Sequence, residues 1–227
     1  MQNQDQDKRV SGEWTVEEAL REAGFKEFDS PVSLFRLLGL LKTTKRAGWK
    51  RFGIDAESVA DHSFRMATMA LFCGAEGIDV NKCMKLCLVH DFAEAVVGDF
   101  TPYSGVPREE KYRRESLTID YMASKWNGEI KTLWDEFEAG ETPEAQLAQD
   151  LDKVELMTQA LDYEDRDPGQ PDLTEFFGVV RKIKTPLGRS LAERIIEERR
   201  EVLRKKGRGE AKLTEEMYKK QDEYYGA

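Results

Sequence analysis

The stretch Leu88-Val89-His90-Asp91-Phe92-Ala93-Glu94-Ala95-Val96-Val97-Gly98-Asp99 decides how this chain is read. Its apolar residues follow a helical rather than an alternating period, and three side chains able to bind a metal interrupt them: His90, Asp91 and Glu94. On a helix, His90 and Asp91 lie about 100° apart, and Glu94 sits one turn beyond His90 on its face. A neutral imidazole and a carboxylate suit a divalent transition ion, and neighbours on one helix can both reach an ion lying beside it. Val80, Cys83, Leu86 and Cys87 keep the same period upstream, so one helix is predicted from residue 80 to a stop at Gly98.

Ligands from a single helix cannot close a metal site, so others must come from elsewhere. The chain has two histidines, which makes His62 the obvious third ligand. It falls in Ser58-Val59-Ala60-Asp61-His62-Ser63-Phe64-Arg65-Met66, in the first turn of a helix capped by Ser58 and predicted through Ala75. An ordinary core or surface histidine would explain either ring alone. It would not explain Asp91 beside His90 and Glu94 one turn on, because carboxylates on a buried face are costly unless paired or metal-bound. Cys83, Cys87 and His90 are spread over two turns of one helix and cannot converge tetrahedrally on zinc, so the cysteines read as buried apolar side chains.

Outward from this centre the pattern stays helical. Thr15 with Glu18 forms a capping box, and Ser30-Pro31 starts a helix carrying Leu34, Leu37, Leu38 and Leu41 before the basic stretch Lys42 to Arg51. Further helices are predicted over 108–125, 130–137, 143–163, 173–183 and 187–206, with loops at Pro102 to Pro107 and at Asp167-Pro168-Gly169 and Pro171. No run alternates with period two. The expectation is an all-α helical bundle with one domain over 13–206, a disordered N-terminus over 1–12 and a polar tail over 207–227.

Composition narrows the partners. A net charge of −9 and a pI near 5.0 argue against coating a nucleic acid polymer. No run approaches the roughly 18 apolar residues that span a bilayer, so no membrane partner is expected. Three cysteines without disulfide spacing point to a reducing cytoplasm or nucleus. The Glu/Arg-rich run from Glu193 to Lys206 reads as a solvated face with a narrow apolar stripe (Ile195, Val202) that could support a homodimer contact.

The ordered set resembles the HD-domain phosphohydrolases, and within them the eukaryotic HD-domain 5′-deoxynucleotidases and their bacterial relatives. The residues that carry it are Lys45-Arg46 with Trp49, then Glu57 to His62, Leu88 to Asp99, Pro107-Arg108-Glu109-Glu110-Lys111, Leu151-Asp152-Lys153-Val154-Glu155 and Ala160 to Glu164.

The resemblance implies a helical HD-domain fold and supplies a fourth ligand, Asp152, which periodicity alone does not separate from Asp150 or Asp162. It implies that His62, His90, Asp91 and Asp152 hold one divalent ion (Mn, Co, Mg or Zn), with Glu94 handling the nucleophilic water and Asp99 protonating the departing 5′ oxygen. A second ion at Glu94 and Asp99 is an alternative use of the same carboxylates. Arg46 and Lys45 would bind the substrate phosphate, and Trp49 would pack on the sugar and favour deoxyribose. The bacterial relatives place tryptophan directly after the arginine, whereas Ala47-Gly48 intervene here. The implied activity is metal-dependent hydrolysis of deoxyribonucleoside 5′-monophosphates. Two other readings stand beside it: an HD phosphohydrolase of cyclic nucleotides or triphosphates, and a non-enzymatic helical interaction protein with a structural metal.

Overall fold

A computed structural model describes residues 14–25, 30–74, 76–166, 171–209 and 211–225. In chain order the helices are α1 (Val16–Glu22), α2 (Pro31–Leu38), α3 (Val59–Phe72), α4 (Val80–Val89), α5 (Glu94–Val97), α6 (Arg108–Lys125), α7 (Glu129–Ala139), α8 (Pro143–Arg166), α9 (Thr174–Phe177), α10 (Pro186–Lys205) and α11 (Glu215–Tyr225). Short 3₁₀ segments, Gly39–Lys42, Ala47–Phe52 and Gly178–Lys182, join them. Among the described residues the only extended pairing is one antiparallel bridge between Lys45 and Ser58. The fold is all-α, as the periodicity indicates. The expected disordered segment 1–12 and most of the loop at 167–171 lie outside the described residues.

Several helices start on side-chain caps, whereas Ser30 before α2 makes no such bond. Thr15 accepts the Glu18 N–H at 3.3 Å, Asp79 accepts that of Lys82 at 3.1 Å, and Thr185 accepts that of Gly188 at 3.0 Å. At α3, Ser58 accepts the Asp61 N–H at 3.1 Å while Asp61 accepts the Ser58 N–H at 2.9 Å, a reciprocal capping box that fixes the turn carrying His62.

The long helix α8 lies at the centre. Leu151 and neighbouring residues of its first half belong to one apolar core with Met66 of α3 and Leu86 of α4. Val154, Met157 and Tyr163 of its second half belong to another, with Trp49, Phe177 and Ala192. Full burial of a leucine such as Leu86 or Leu151 contributes about 1.5–3 kcal/mol, so these contacts hold α8 against α3 and α4. Asp152 of α8, His62 of α3 and the end of α4 are thereby brought to one place.

Three expectations need correction. The helix predicted from 80 to Gly98 ends at Val89, and the Phe92, Glu94 and Ala95 amides bond three residues back, to Val89, Asp91 and Phe92. Such turns eclipse side chains three apart, which puts Glu94 in line with Asp91. The helix expected over 173–183 is a single α-turn, α9, followed by a 3₁₀ segment. The polar tail contains α11, which docks on that 3₁₀ segment through Arg181 and Lys182. On α10, Ile195 of the expected apolar stripe packs against the second core.

Candidate active site

His62 is fully buried in the first turn of α3. Its Nδ1 is hydrogen-bonded to the Glu155 carboxylate, which also accepts from Arg65 Nε at 2.8 Å. A proton on Nδ1 leaves the Nε2 lone pair facing Asp152 Oδ1 at 3.3 Å and Asp91 Oδ2 at 3.8 Å. His90 caps the C-terminus of α4 and is set the same way: Nδ1 donates to the Cys87 carbonyl at 2.9 Å, and Nε2 lies 3.1 Å from Asp91 Oδ2. The Phe137 ring, 4.9 Å from that of His90, backs the imidazole.

Ligand atoms of His62, His90 and Asp152 all lie within 4.8 Å of one another. Both Nε2 atoms are buried with no hydrogen-bond partner, although carboxylate oxygens stand within 4 Å of each. Ligands about 2.1 Å from one ion stand about 3 Å apart, so this spacing without hydrogen-bond alignment fits a shared cation. The electrostatics agree. Burial and Arg46 oppose charge on His62, yet Glu155 and Asp152 raise its pKa to about 9, so the pocket favours a positive charge at this point. Burial also works against Asp91 and Asp152, but His90, Arg46 and His62 beside the first, and His62 and Lys153 beside the second, hold both well below the usual carboxylate range.

The opposite holds for Glu94. It is buried in the first turn of α5, with Oε2 lacking a partner. Burial, followed by the charges of Asp91 and Asp99, pushes its pKa well above the ordinary value against the opposing pull of Arg46 and Lys111. Gly98 ends α5 at φ +76, ψ 169, a conformation that favours glycine, and Asp99 follows. Asp99 accepts the Ala47 N–H at 2.6 Å, and burial raises its pKa as well. Carboxylates pushed up (Glu94, Asp99) and held down (Asp91, Asp152) therefore stand side by side in one site.

Arg46 Nη1 is 3.5 Å from Asp91 Oδ2. Burial disfavours its charge, but Asp99, Asp91, Glu94 and Asp152 outweigh that and keep the guanidinium cationic. Arg46, Asp91, Glu94, Asp99 and Asp152 line a cleft of about 1400 Å³.

Lys45 does not join them. In extended chain neighbouring side chains point to opposite sides, and Lys45 turns away to the Ala56 carbonyl at 2.6 Å and Asp55 at 3.1 Å. Trp49 is only 1% exposed, wedged against Phe176 (ring centroids 4.1 Å) and Tyr163 (5.2 Å), with its N–H on Glu57 at 2.8 Å. It belongs to the wall of the cleft rather than projecting into it.

Two participants stand in the motifs quoted from sequence but receive no role there. Glu155 orients His62, and its place three residues after Asp152 on one helix face is the signal that could have found it. Lys111 lines the same cleft and lies 3.0 Å from Glu115.

The HD domain family matches residues 38–190. A 5′-deoxynucleotidase of Schizosaccharomyces pombe is 38% identical over 179 residues, covering 75% of this chain and 90% of that protein. One from Dictyostelium discoideum is 39% identical over 187 residues, 74% of this chain and 98% of that protein. Among solved structures, the HD domain-containing protein YGK1 superposes with a TM-score of 0.65 at 27% identity, over 84% of this chain and 100% of that one.

Proposed function

The chain belongs to the HD domain family, and we infer from that premise that it is a metal-dependent 5′-deoxynucleotidase, hydrolysing deoxyribonucleoside 5′-monophosphates to deoxyribonucleoside and phosphate. The observation that carries the reading is the pair of buried, unpartnered Nε2 atoms of His62 and His90 beside Asp152, on the wall of an open cleft.

His62, His90, Asp91 and Asp152 would hold one divalent ion: Mn, Co, Mg or Zn. Such an ion supplies Lewis acidity toward phosphoryl oxygen and toward water. Arg46 neutralises the substrate phosphate, as a guanidinium kept charged by its surroundings can. Glu94, whose buried Oε2 has no partner, orients and deprotonates the attacking water. Asp99, whose pKa burial raises, serves as the acid for the departing 5′ oxygen.

The choice of one phosphate over three rests on the relatives, which are 5′-deoxynucleotidases. A structural metal with no enzymatic role would not need Glu94 beside its ligands. The preference for deoxyribose rests on those same relatives.

In this reading the protein works in the cytoplasm or nucleus as a homodimer. Among the described residues no helix is long and apolar enough to cross a membrane. Support for a homodimer comes from α3, where Phe64 and Phe72 are 70% and 81% exposed, with Leu71 beside them. Comparing kcat/KM for dAMP, AMP and dATP tests the substrate assignment. The order dAMP, AMP, dATP is expected, and faster turnover of dATP would move the chain to the triphosphate hydrolases.

A further inference from the structure

The C-terminal helix α11 lies beyond the family match, which ends at residue 190. None of its described residues belongs to either apolar core. It is seated by polar contacts instead. The Gln221 amide donates to the Glu175 carbonyl at 2.7 Å, Arg181 donates to the Tyr218 carbonyl at 2.8 Å, and Asp222 pairs with Lys182 at 2.7 Å. A Cβ on Gly178 would stand 2.7 Å from Gln221 Oε1, so glycine at that position makes room for the seat.

The inner side of α11 presents Met217 and Lys220 to the cleft that Asp91 and Glu94 line. Lys220 Nζ lies 4.4 Å from the Tyr103 ring and 3.4 Å from Glu216 on its own helix. Tyr103 projects from a tight turn in which Ser104 N–H donates to the Thr101 carbonyl at 2.9 Å and Ser104 Oγ accepts the Thr101 N–H at 2.8 Å. Tyr103 is 41% exposed and borders the same cleft. The Arg51 guanidinium stands 3.8 Å from that ring and is ion-paired with Glu175, the residue whose carbonyl seats Gln221.

We propose that α11 completes the nucleoside end of the cleft, with Tyr103 and Lys220 contacting the base while Arg46 and the ion ligands hold the phosphate. This rests on the deoxynucleotidase reading. The exposed part of an aromatic ring offers contact area to any base, and an adjoining ammonium offers donors to the carbonyl and ring-nitrogen acceptors on a base edge. Neither group is needed to bind phosphate, so the two ends of the substrate separate experimentally.

The test compares the full-length protein with Tyr103→Ala and Lys220→Ala on dAMP, dCMP and 2-deoxyribose 5-phosphate, which keeps the sugar and phosphate but has no base. Each variant should raise KM for the two nucleotides about tenfold, within the range of one lost base stack, with kcat little changed. KM for 2-deoxyribose 5-phosphate should not move, and Lys220→Arg should recover part of the loss. Unchanged nucleotide KM in both variants would overturn the inference alone, as would an equal rise for the baseless phosphate. Absence of nucleotide hydrolysis by the unsubstituted protein would overturn the proposed function and this inference with it.

Discussion

Glu155 is hydrogen-bonded through its carboxylate to Nδ1 of His62, and it lies on α8 three residues after Asp152. One helix therefore supplies both a candidate ligand and the group that aims the imidazole of another ligand. Partners of this kind fix tautomer and ring direction, and losing them typically costs 10–100-fold in metal affinity. Glu155→Gln should keep all four candidate ligands yet weaken divalent-ion binding by about tenfold or more, read by calorimetric titration. Wild-type affinity in that variant would remove Glu155 from the site.

Glu94 is the candidate for proton transfer. Glu94→Gln preserves shape while removing the ionisable group, so it should retain the first ion and bind dAMP. Turnover should fall by about 10²–10⁴, the range for a positioned acid or base. Metal analysis of the same variant separates the two uses of this carboxylate. Loss of one of two bound ions together with activity would favour a second ion at Glu94 and Asp99. Near-normal turnover would leave Glu94 a bystander.

Arg46 and Lys45 should behave differently despite being neighbours. Arg46→Ala removes the cation shared by Asp91, Asp99 and Glu94, and KM for dAMP should rise at least about tenfold, as expected for a lost charge-assisted contact. Lys45→Ala should leave both kinetic constants near wild type, because Lys45 bonds Asp55 and Ala56 instead. Equal impairment of the two variants would contradict the orientation of this segment.

Glu115 gives the fold a pH signature. Burial, opposed by Lys111, raises its carboxyl pKa from 4.5 to about 7. The folded state therefore holds this proton more tightly than the unfolded chain does. The contribution to stability is fully present below pH 4.5 and is lost as pH rises through about 7. Glu115→Gln should flatten that decline and stabilise the protein above about pH 7 by up to about 3 kcal/mol, measured by urea unfolding across pH. The same slope in both proteins would contradict the assignment.

The sequence was most readable where local chemistry decides structure. The Ser58 and Thr15 caps and the bounds of α6 follow from residue type alone, and the two histidines mark the site because no others compete. What escaped depends on the third dimension. Glu155 reads like any helical carboxylate until α3 brings His62 against it. The turn at His90 has no glycine or proline to announce it. Lys45 and Arg46 look equivalent until an extended backbone sends them apart. Helix α11 reads as a solvated tail because polar groups, not an apolar stripe, seat it.

The central claim is that His62, His90, Asp91 and Asp152 hold an ion on which dAMP hydrolysis depends. The most direct measurement is phosphate release from dAMP by chelator-treated protein, before and after adding back Mn, Co, Mg or Zn, for wild type and His90→Ala in parallel. The account predicts no release from the stripped wild type, recovery with at least one of these ions, and neither bound ion nor recovery in a folded His90→Ala protein. Full activity in the stripped wild type, or unchanged metal content and turnover in His90→Ala, would contradict it.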